Sequence, residues 1–254
     1  MRIATWNVNS LSVRLPQVLD WLAANPVDAL GLQELKLTDD KFPHMAFEEA
    51  GYKAVSHGQK TYNGVALLSR QPLAEVQRGN PHYDDPQKRL IAATVAGVRV
   101  ICAYFPNGQE VGSDKYDYKL AWLAALEQWL ALEIEHHPRL VLAGDFNIAP
   151  EDRDSYDPVG LAETIHHTTE ERQHFQALLG LGLTDAFRQF DQPDKSYSWW
   201  DYRMLGYQKN RGLRIDHILV SAPLLPQLSA CSIDRVPRKW PKPSDHAPVT
   251  VTLS

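Results

Sequence analysis

The segment Leu140-Val141-Leu142-Ala143-Gly144-Asp145-Phe146-Asn147 joins a fully apolar run to a carboxylate and an amide. A short apolar run that ends at glycine is typical of a buried strand. In layered α/β proteins, ligand sites lie where loops leave such strands. The segment therefore predicts a buried strand with functional side chains at its end.

The same arrangement recurs along the chain. Asn7 and Asn9 follow a first strand-like segment, Glu34 follows the apolar run 29–33, and Asp216 interrupts the otherwise apolar strand 214–220. A buried carboxylate costs several kcal/mol unless a cation, a metal or a hydrogen-bond donor compensates it. We therefore expect these groups to converge on one polar cluster, and a structural salt-bridge network is the alternative.

The rest of the chain alternates between strand-like and helix-like patterns. Apolar periodicity predicts a long helix over 115–136, a helix over 170–179 capped by Thr168 or Thr169, and a helix with Pro16 in its first turn. Further strands are expected over 3–8, 64–69, 90–95, 99–104 and 247–253, with a hairpin turn at Ala96-Gly97.

Length and composition are those of an ordinary soluble globular protein. The 254 residues are 44% hydrophobic and 22% charged, and no break in composition divides them. We therefore predict a single domain over residues 1–254. No apolar stretch approaches the roughly 18 residues of a membrane span, and the N-terminal segment lacks a signal-peptide pattern, so we expect a cytoplasmic protein without membrane partners.

The charge distribution is more informative than the net charge of −5. Binders of nucleic acid usually carry a basic surface. Residues 188–242 contain ten Lys or Arg and five Asp, a local balance of +5. This segment can present a positive face to phosphates, although ordinary solvated surface charge is the alternative. Cys102 and Cys231 have no metal-type spacing and are expected to be core residues.

The chemistry of the expected cluster favours a hard divalent cation. Its members are carboxylates, amides and one imidazole: Asn7, Glu34, Asp145, Asn147, Asp216, Asp245 and His246. Oxygen ligands favour Mg²⁺ or Mn²⁺ over Zn²⁺. Hydrolysis of a phosphodiester needs an activated water and stabilisation of phosphate charge, and this set supplies both. No serine or cysteine lies in a nucleophile-elbow pattern.

Eight sequence blocks, in order, resemble the exonuclease III branch of the endonuclease/exonuclease/phosphatase superfamily, the bacterial DNA-repair nucleases that include abasic-site endonucleases. The blocks cover nearly the whole chain, at residues 5–10, 32–36, 62–66, 104–108, 144–150, 199–203, 210–216 and 243–248. The most specific read Gly144-Asp145-Phe146-Asn147-Ile148-Ala149-Pro150 and Pro243-Ser244-Asp245-His246-Ala247-Pro248. The resemblance implies a four-layered α/β sandwich, with two packed, mostly antiparallel sheets flanked by helices.

The resemblance also implies roles for the cluster. Glu34 would bind Mg²⁺, or Mn²⁺ in its place, with oxygens of Asn7 and Asp245 nearby. Asp145, helped by Asn147, would orient and deprotonate the attacking water. His246 would bind a phosphate oxygen, with Asp216 fixing its tautomer and supporting its charge. Tyr104 would stabilise the transition state or the leaving oxygen. To act as a phenolate, Tyr104 would need a metal or a cation nearby.

Four residues are expected to contact double-stranded DNA. Trp199 would pack against the sugar or base at the cleavage site, with core packing as the alternative. Arg203, Lys209 and Arg211 would hold phosphates without reading sequence. The substrate would be duplex DNA, at 3′ ends or abasic sites, and nothing suggests more than a monomer.

The segment Ile165-His166-His167-Thr168 departs from the commoner pattern of the abasic-site enzymes, which carry a small residue, an aromatic and a threonine here. An abasic sugar must flip into a fitted pocket before incision. If the segment lines that pocket, His166 would hinder an internal abasic nucleotide while a 3′ end still reaches the metal. This favours 3′→5′ exonuclease or 3′-phosphodiesterase activity over strand incision. The alternative is that both histidines face solvent at a helix start.

Three other functions fit less well. A general abasic-site endonuclease remains the nearest alternative. A phosphoinositide-type phosphatase would share the acidic motifs but lack the blocks at 199–203 and 210–216. A nucleic-acid-binding regulator without catalysis would have lost some of the chemical residues, and this chain retains all of them.

Overall fold

Fourteen strands and four α-helices form along the chain, and a computed structural model describes all residues 1–254. The strands are β1 Arg2–Asn7, β2 Ala29–Gln33, β3 Lys53–His57, β4 Val65–Ser69, β5 Ala74–Arg78, β6 Leu90–Val95, β7 Val98–Tyr104, β8 Leu140–Asp145, β9 Leu183–Asp185, β10 Trp199–Trp200, β11 Gly212–Leu213, β12 Asp216–Ser221, β13 Leu228–Ile233 and β14 Val249–Leu253. The helices are α1 Leu11–Ala24, α2 His44–Glu49, α3 Asp114–His136 and α4 Thr169–Gly180.

Two six-stranded sheets pack face to face between two helical layers. The first sheet has the order β13-β14-β1-β2-β4-β3, the second β5-β6-β7-β8-β12-β9, and β10 and β11 pair separately. Most neighbouring strands are antiparallel, whereas β1 with β2 and β7 with β8 are parallel. The predicted four-layered sandwich is confirmed.

The alternation of side chains along the strands explains the layering. In β1, Ile3 enters the core between the sheets, whereas Ala4 and Trp6 face outward and pack with residues of α1 and α2. In β7, Ile101 likewise faces outward and packs with residues of α3 and α4. Both faces of the central strands are therefore buried, which requires continuous apolar sequence.

Several local predictions are confirmed. The β6–β7 hairpin turns at Ala96 and Gly97, both with positive φ of 48° and 77°. Helix α4 begins after Thr168, whose side chain accepts from the backbone N–H of Glu171 in a capping box.

Other element boundaries differ from prediction. Pro16 is the sixth residue of α1, because the helix begins at Leu11, where the backbone N–H donates to the carbonyl of Leu35. Strand β12 begins at Asp216 and not at Arg214. Strand β14 begins after Pro248, which has no N–H to donate to a ladder. No helix in the structure has the length and apolarity required to cross a bilayer.

Candidate active site

Strand register places three of the predicted residues side by side. Tyr104 ends β7 and pairs with Asp145 at the end of β8. Asp216 begins β12, which is antiparallel to β8, and pairs with Asp145 from the other side. A phenol and two carboxylates therefore form a row along one edge of the second sheet.

The first sheet contributes Asn7 and Glu34 to the same place. Asn7 ends β1, and its Nδ2 donates to Glu34 Oε1 and to Asp145 Oδ2, both at 2.9 Å. The Tyr104 hydroxyl donates to Glu34 Oε1 at 3.0 Å. Asn7 thus joins the acidic groups of the two sheets.

His246, just before β14, completes the cluster. Its Nδ1 lies 2.8 Å from Asp216 Oδ2, and its Nε2 lies 3.7 Å from Asp145 Oδ2. Ser198 fixes the carboxylate, because its hydroxyl donates to Asp216 Oδ2 at 2.7 Å. The Asp216 carboxylate therefore determines the orientation of the ring, with Nε2 directed toward Asp145.

Burial and close charges perturb the titration of this cluster. Burial opposes a charge on His246, but Asp216 and Asp145 outweigh it and raise the pKa of His246 to about 10. Burial raises the pKa of Asp145 to about 7, against the opposing effect of His246 and with a further increase from Asp216. The imidazole is therefore a cation at neutral pH, and Asp145 can accept a proton near that pH.

Tyr104 is a neutral phenol in this arrangement. Burial, followed by the negative charges of Glu34 and Asp145, holds its pKa well above the usual range. The guanidinium of Arg89 lies 4.9 Å from the centre of the Tyr104 ring and acts in the opposite direction. The phenol is therefore a hydrogen-bond donor, as it is toward Glu34.

Asn147 is held by both its backbone and its side chain. Its N–H donates to Asp145 Oδ1 at 3.0 Å, and its Nδ2 donates to the carbonyl of Phe105 at 3.0 Å. Its carbonyl accepts from Lys119 Nζ at 2.8 Å. The amide oxygen faces Asn107, whose Nδ2 donates to it at 3.2 Å.

The donor set fits a divalent cation. Ligand atoms of Glu34, Asp145 and His246 all lie within 4.8 Å of one another. Lys36 Nζ lies 3.0 Å from Glu34 Oε2, so a cation already neutralises part of this charge. Asp245 is not a member of this three-residue group, and its carboxylate oxygens accept from the side chains of Asn9 and Trp199 at 3.0 and 2.9 Å.

A cavity of about 740 Å³ adjoins the cluster. Trp199, His166, Arg203 and Arg211 all line it. Trp199 is half-buried and packs against a small apolar cluster of Ala149, Leu213 and Ile215, so DNA contact and core packing both remain predictions for it. Arg203 is paired with Asp201 at 2.7 Å.

Lys209 does not line this cavity. It is exposed and lines an adjacent pocket together with Arg211 and Lys195. The predicted DNA contacts therefore occupy one continuous surface but not one pocket.

Comparison with known proteins agrees with this geometry. The family model described as "Endonuclease/Exonuclease/phosphatase family" matches residues 4–246. This chain belongs to the exonuclease III branch of that family. Exodeoxyribonuclease III of Haemophilus influenzae is 36% identical to it, over 98% of each chain.

Solved structures give the same result. Two structures of NExo from Neisseria superpose with a TM-score of 0.98 over the whole chain and 99–100% of the other. One, 53% identical, is described as a 3′-5′ exonuclease, and the other, 52% identical, as a 3′ phosphatase bound to product DNA hairpin. An AP endonuclease from Archaeoglobus fulgidus is 36% identical, with a TM-score of 0.96, over 100% of this chain and 99% of the other.

Within this family fold, His166 forms part of the cavity wall. It is 8% exposed, and His167 is 3% exposed, so the solvent-facing alternative is wrong. His166 Nδ1 donates to the carbonyl of Asn147 at 2.7 Å, and burial, followed by the charge of Lys119, lowers its pKa to about 3. The backbone of His166 has a φ of +73°, a left-handed conformation that favours glycine.

Two buried networks behind the site were not predicted. Lys119 and Glu171 form a fully buried ion pair beneath Asn147. Arg214 binds Asp154 and Asp185, at 2.6 and 2.8 Å. Neither network has a local sequence signal, because each joins residues far apart in the chain.

The Arg214 network also fixes a buried histidine. Arg214 Nη1 donates to His217 Nδ1 at 3.0 Å, and His217 Nε2 donates to the carbonyl of Ile148 at 2.9 Å. This pattern is that of the neutral ring. Burial, followed by the charge of Arg214, lowers the pKa of His217 to about 4.

Proposed function

We propose that the protein is a metal-dependent DNA-repair nuclease that acts on 3′ ends of duplex DNA. Its reactions would be 3′→5′ exonuclease and 3′-phosphodiesterase hydrolysis. The family assignment supports phosphodiester hydrolysis, and the similarity to a 3′-5′ exonuclease and a 3′ phosphatase supports the 3′ end as substrate. The proposed catalytic cluster is complete without residues of a second subunit, and we propose that the protein acts as a monomer.

The residues of the cluster divide the reaction among them. Asp145 accepts the proton of the attacking water, and the backbone N–H of Asn147 orients its carboxylate. His246, held as a cation by Asp216, donates from Nε2 to a phosphate oxygen. Tyr104 donates from its phenol to the oxygen that leaves or bears the developing charge.

We propose Mg²⁺ as the natural metal, with Mn²⁺ as a substitute. Glu34 would hold it, with the oxygens of Asn7 and Asp245 nearby, and the clustered carboxylates support an oxygen-binding cation. When bound, it would neutralise charge on the phosphate and lower the pKa of water. Chelation by EDTA should abolish hydrolysis, and Mg²⁺ should restore it.

The position of His166 carries the preference for 3′ ends. The imidazole is buried in the cavity wall beside Trp199, and its bond to the Asn147 carbonyl fixes it there. An internal abasic nucleotide must enter such a cavity while it remains joined to the strand on both its 5′ and its 3′ side. A 3′ terminus approaches with one side free, so the imidazole obstructs it less.

Two duplexes test the preference, one with an internal abasic analogue and one with a recessed 3′ end. Wild-type protein should degrade the recessed end and cut the abasic duplex poorly. His166→Gly should raise the rate of incision relative to that of exonuclease activity by about 10- to 200-fold. This is the usual range of discrimination when a pocket selects substrates by size. The positive φ of His166 means that glycine fits this backbone without strain.

Two controls accompany this assay. Asp145→Ala should remove both activities, which excludes a contaminating nuclease. His174→Ala, at a half-buried histidine of α4 that bonds Glu127 and does not line the cavity, should leave the ratio of activities unchanged. Efficient incision by wild-type protein would contradict the proposal and favour a general abasic-site endonuclease, the function named for the Archaeoglobus relative.

A further inference from the structure

Arg238 is a nearly buried cation without a carboxylate partner. It is 6% exposed, its Nη1 donates to the carbonyl of Ser244, and its Nε has no hydrogen-bond partner. Arginine stays charged at any ordinary pH. An unpaired buried charge is costly, so its presence calls for a compensating group.

Aromatic rings compensate only part of this cost. The guanidinium carbon of Arg238 lies 4.9 Å from the ring centre of Tyr207 and 5.7 Å from those of Trp200 and Tyr202. Such contacts hold a guanidinium in a fixed orientation. No carboxylate is paired with the guanidinium, although the charge of Asp245 partly opposes the lowering of the Arg238 pKa by burial.

The same side chain lines an open pocket of about 430 Å³. Lys239 and the rings of Tyr202, Tyr207 and Trp240 also line it. Asp201 is the only acidic residue in this wall, and its carboxylate is paired with Arg203. The pocket therefore presents a net positive charge to a ligand.

The pocket adjoins the catalytic cluster. Arg238 binds the carbonyl of Ser244, the residue before Asp245 and His246. The hydroxyl of Ser244 in turn donates to the carbonyl of Asn7 at 2.7 Å. Asp201 lines both this pocket and the cavity of Trp199 and His166.

We propose that the pocket of Arg238 and Lys239 binds one phosphate of the substrate strand, flanking the phosphate that is cleaved. This inference rests on the proposed action on DNA and adds a subsite to it. The buried guanidinium, already oriented by three rings, loses little freedom when it binds a phosphate oxygen. The contact fixes strand position without reading sequence.

Salt dependence of DNA binding tests the proposal. Anisotropy of a labelled duplex with a recessed 3′ end is measured in EDTA, where no cleavage occurs, over a series of salt concentrations. Arg238→Met should weaken binding roughly tenfold and reduce the slope of log affinity against log salt by about 1. Arg238→Lys should retain most of the slope, because it keeps the charge.

Matched variants separate phosphate binding from folding. Arg70→Met removes an exposed arginine that lies over the Tyr52 ring and directly follows the last residue of β4. This variant should leave the slope unchanged. Lys239→Met, at an exposed position, should lower the slope even if Arg238→Met folds poorly. A native fold with an unchanged slope in Arg238→Met, or an unchanged slope in Lys239→Met, overturns the proposal.

Two further arms identify the source of the phosphate. In a series of duplexes, each with an uncharged methylphosphonate at a different position of the strand, the affinities of wild type and Arg238→Met are compared. At one position of the methylphosphonate, the two affinities should become equal. In the other arm, the melting temperature is measured with inorganic phosphate. If phosphate stabilises wild type but not Arg238→Met, and no methylphosphonate position makes the two affinities equal, the pocket does not bind a phosphate of the substrate strand. Because neither arm requires cleavage, inactivity on 3′ ends would refute the proposed function alone.

Discussion

Replacing Lys119 by methionine removes the cation of a fully buried ion pair that supports the catalytic loop. Lys119 Nζ binds Glu171 and also donates to the carbonyls of Asn147 and Asn107, at 2.8 and 3.2 Å. Glu171 Oε2 accepts from the backbone N–H of Thr168 at 3.1 Å, at the start of α4. One side chain on α3 therefore connects three loops around the site.

The expected loss of stability follows from this burial. Both side chains are 0% exposed, so Lys119→Met leaves a buried carboxylate without its cation, which costs about 3–5 kcal/mol. A chain of this size loses about 2–4 °C in melting temperature per kcal/mol, so the decrease should be about 6–20 °C. Lys119→Met/Glu171→Gln removes the unpaired charge but keeps an acceptor for Thr168, and should recover much of the loss.

Activity distinguishes positioning from stability. The kcat on a recessed 3′ end should fall in the single variant and stay low in the double variant, because both lack the donor to the Asn147 and Asn107 carbonyls. Melting temperatures and single-turnover rates, measured well below the lowest melting temperature, provide the comparison. A Lys119→Met protein as stable as wild type would refute the energetic reasoning, and full activity in the double variant would refute the positioning role.

Three further outcomes are expected. The pKa of His217 is about 4 in the folded protein and 6.5 in the unfolded state, so above pH 6.5 the ring is neutral in both states. As the pH falls from 6.5 to 4, the unfolded state binds a proton that the folded state does not. The free energy of unfolding should therefore fall by up to about 3 kcal/mol over this range. Urea unfolding against pH measures this, and His217→Gln should reduce the slope of that part of the curve without removing it, because buried His166, with a pKa of about 3, contributes a slope of the same sign. Gly144→Ala should abolish soluble expression, because its Cβ would lie 1.8 Å from the Ala103 carbonyl oxygen, and a folded, active variant would contradict this. Asp216→Asn should lower kcat by about 10²–10⁴-fold with little change in KM, because His246 loses the carboxylate charge that orients it. Steady-state kinetics measure this, and an unchanged kcat would contradict the role of Asp216.

Local sequence determined much of the framework. Continuous apolar runs such as 140–143 predicted buried strands, Ala96-Gly97 predicted its hairpin, and the cap at Thr168 or Thr169 predicted the start of α4. These features depend on residues within a few positions of one another. Backbone preference and side-chain period therefore suffice to specify them.

Four residues of the catalytic cluster were also predictable, because three of them end an apolar segment and Asp216 interrupts one. The role of Tyr104 came only from the family resemblance. Asn7, Glu34, Asp145 and Asp216 are conspicuous as polar groups beside buried strands. Their contacts were not predictable. That Asp216 pairs with Asp145, and that Asn7 bridges Glu34 and Asp145, follows from strand order and register across two sheets.

Tertiary structure alone determined what surrounds the cluster. Lys119 lies 52 positions from Glu171, and Ser198 lies 18 positions from Asp216, so no local pattern relates them. The sequence marked His166 as a departure, but only the fold placed its ring against the Asn147 carbonyl in the cavity wall. The physical reason is that hydrogen bonding and burial of a polar side chain depend on which distant segments pack against it, whereas helix, strand and turn formation depend mainly on neighbours in the chain.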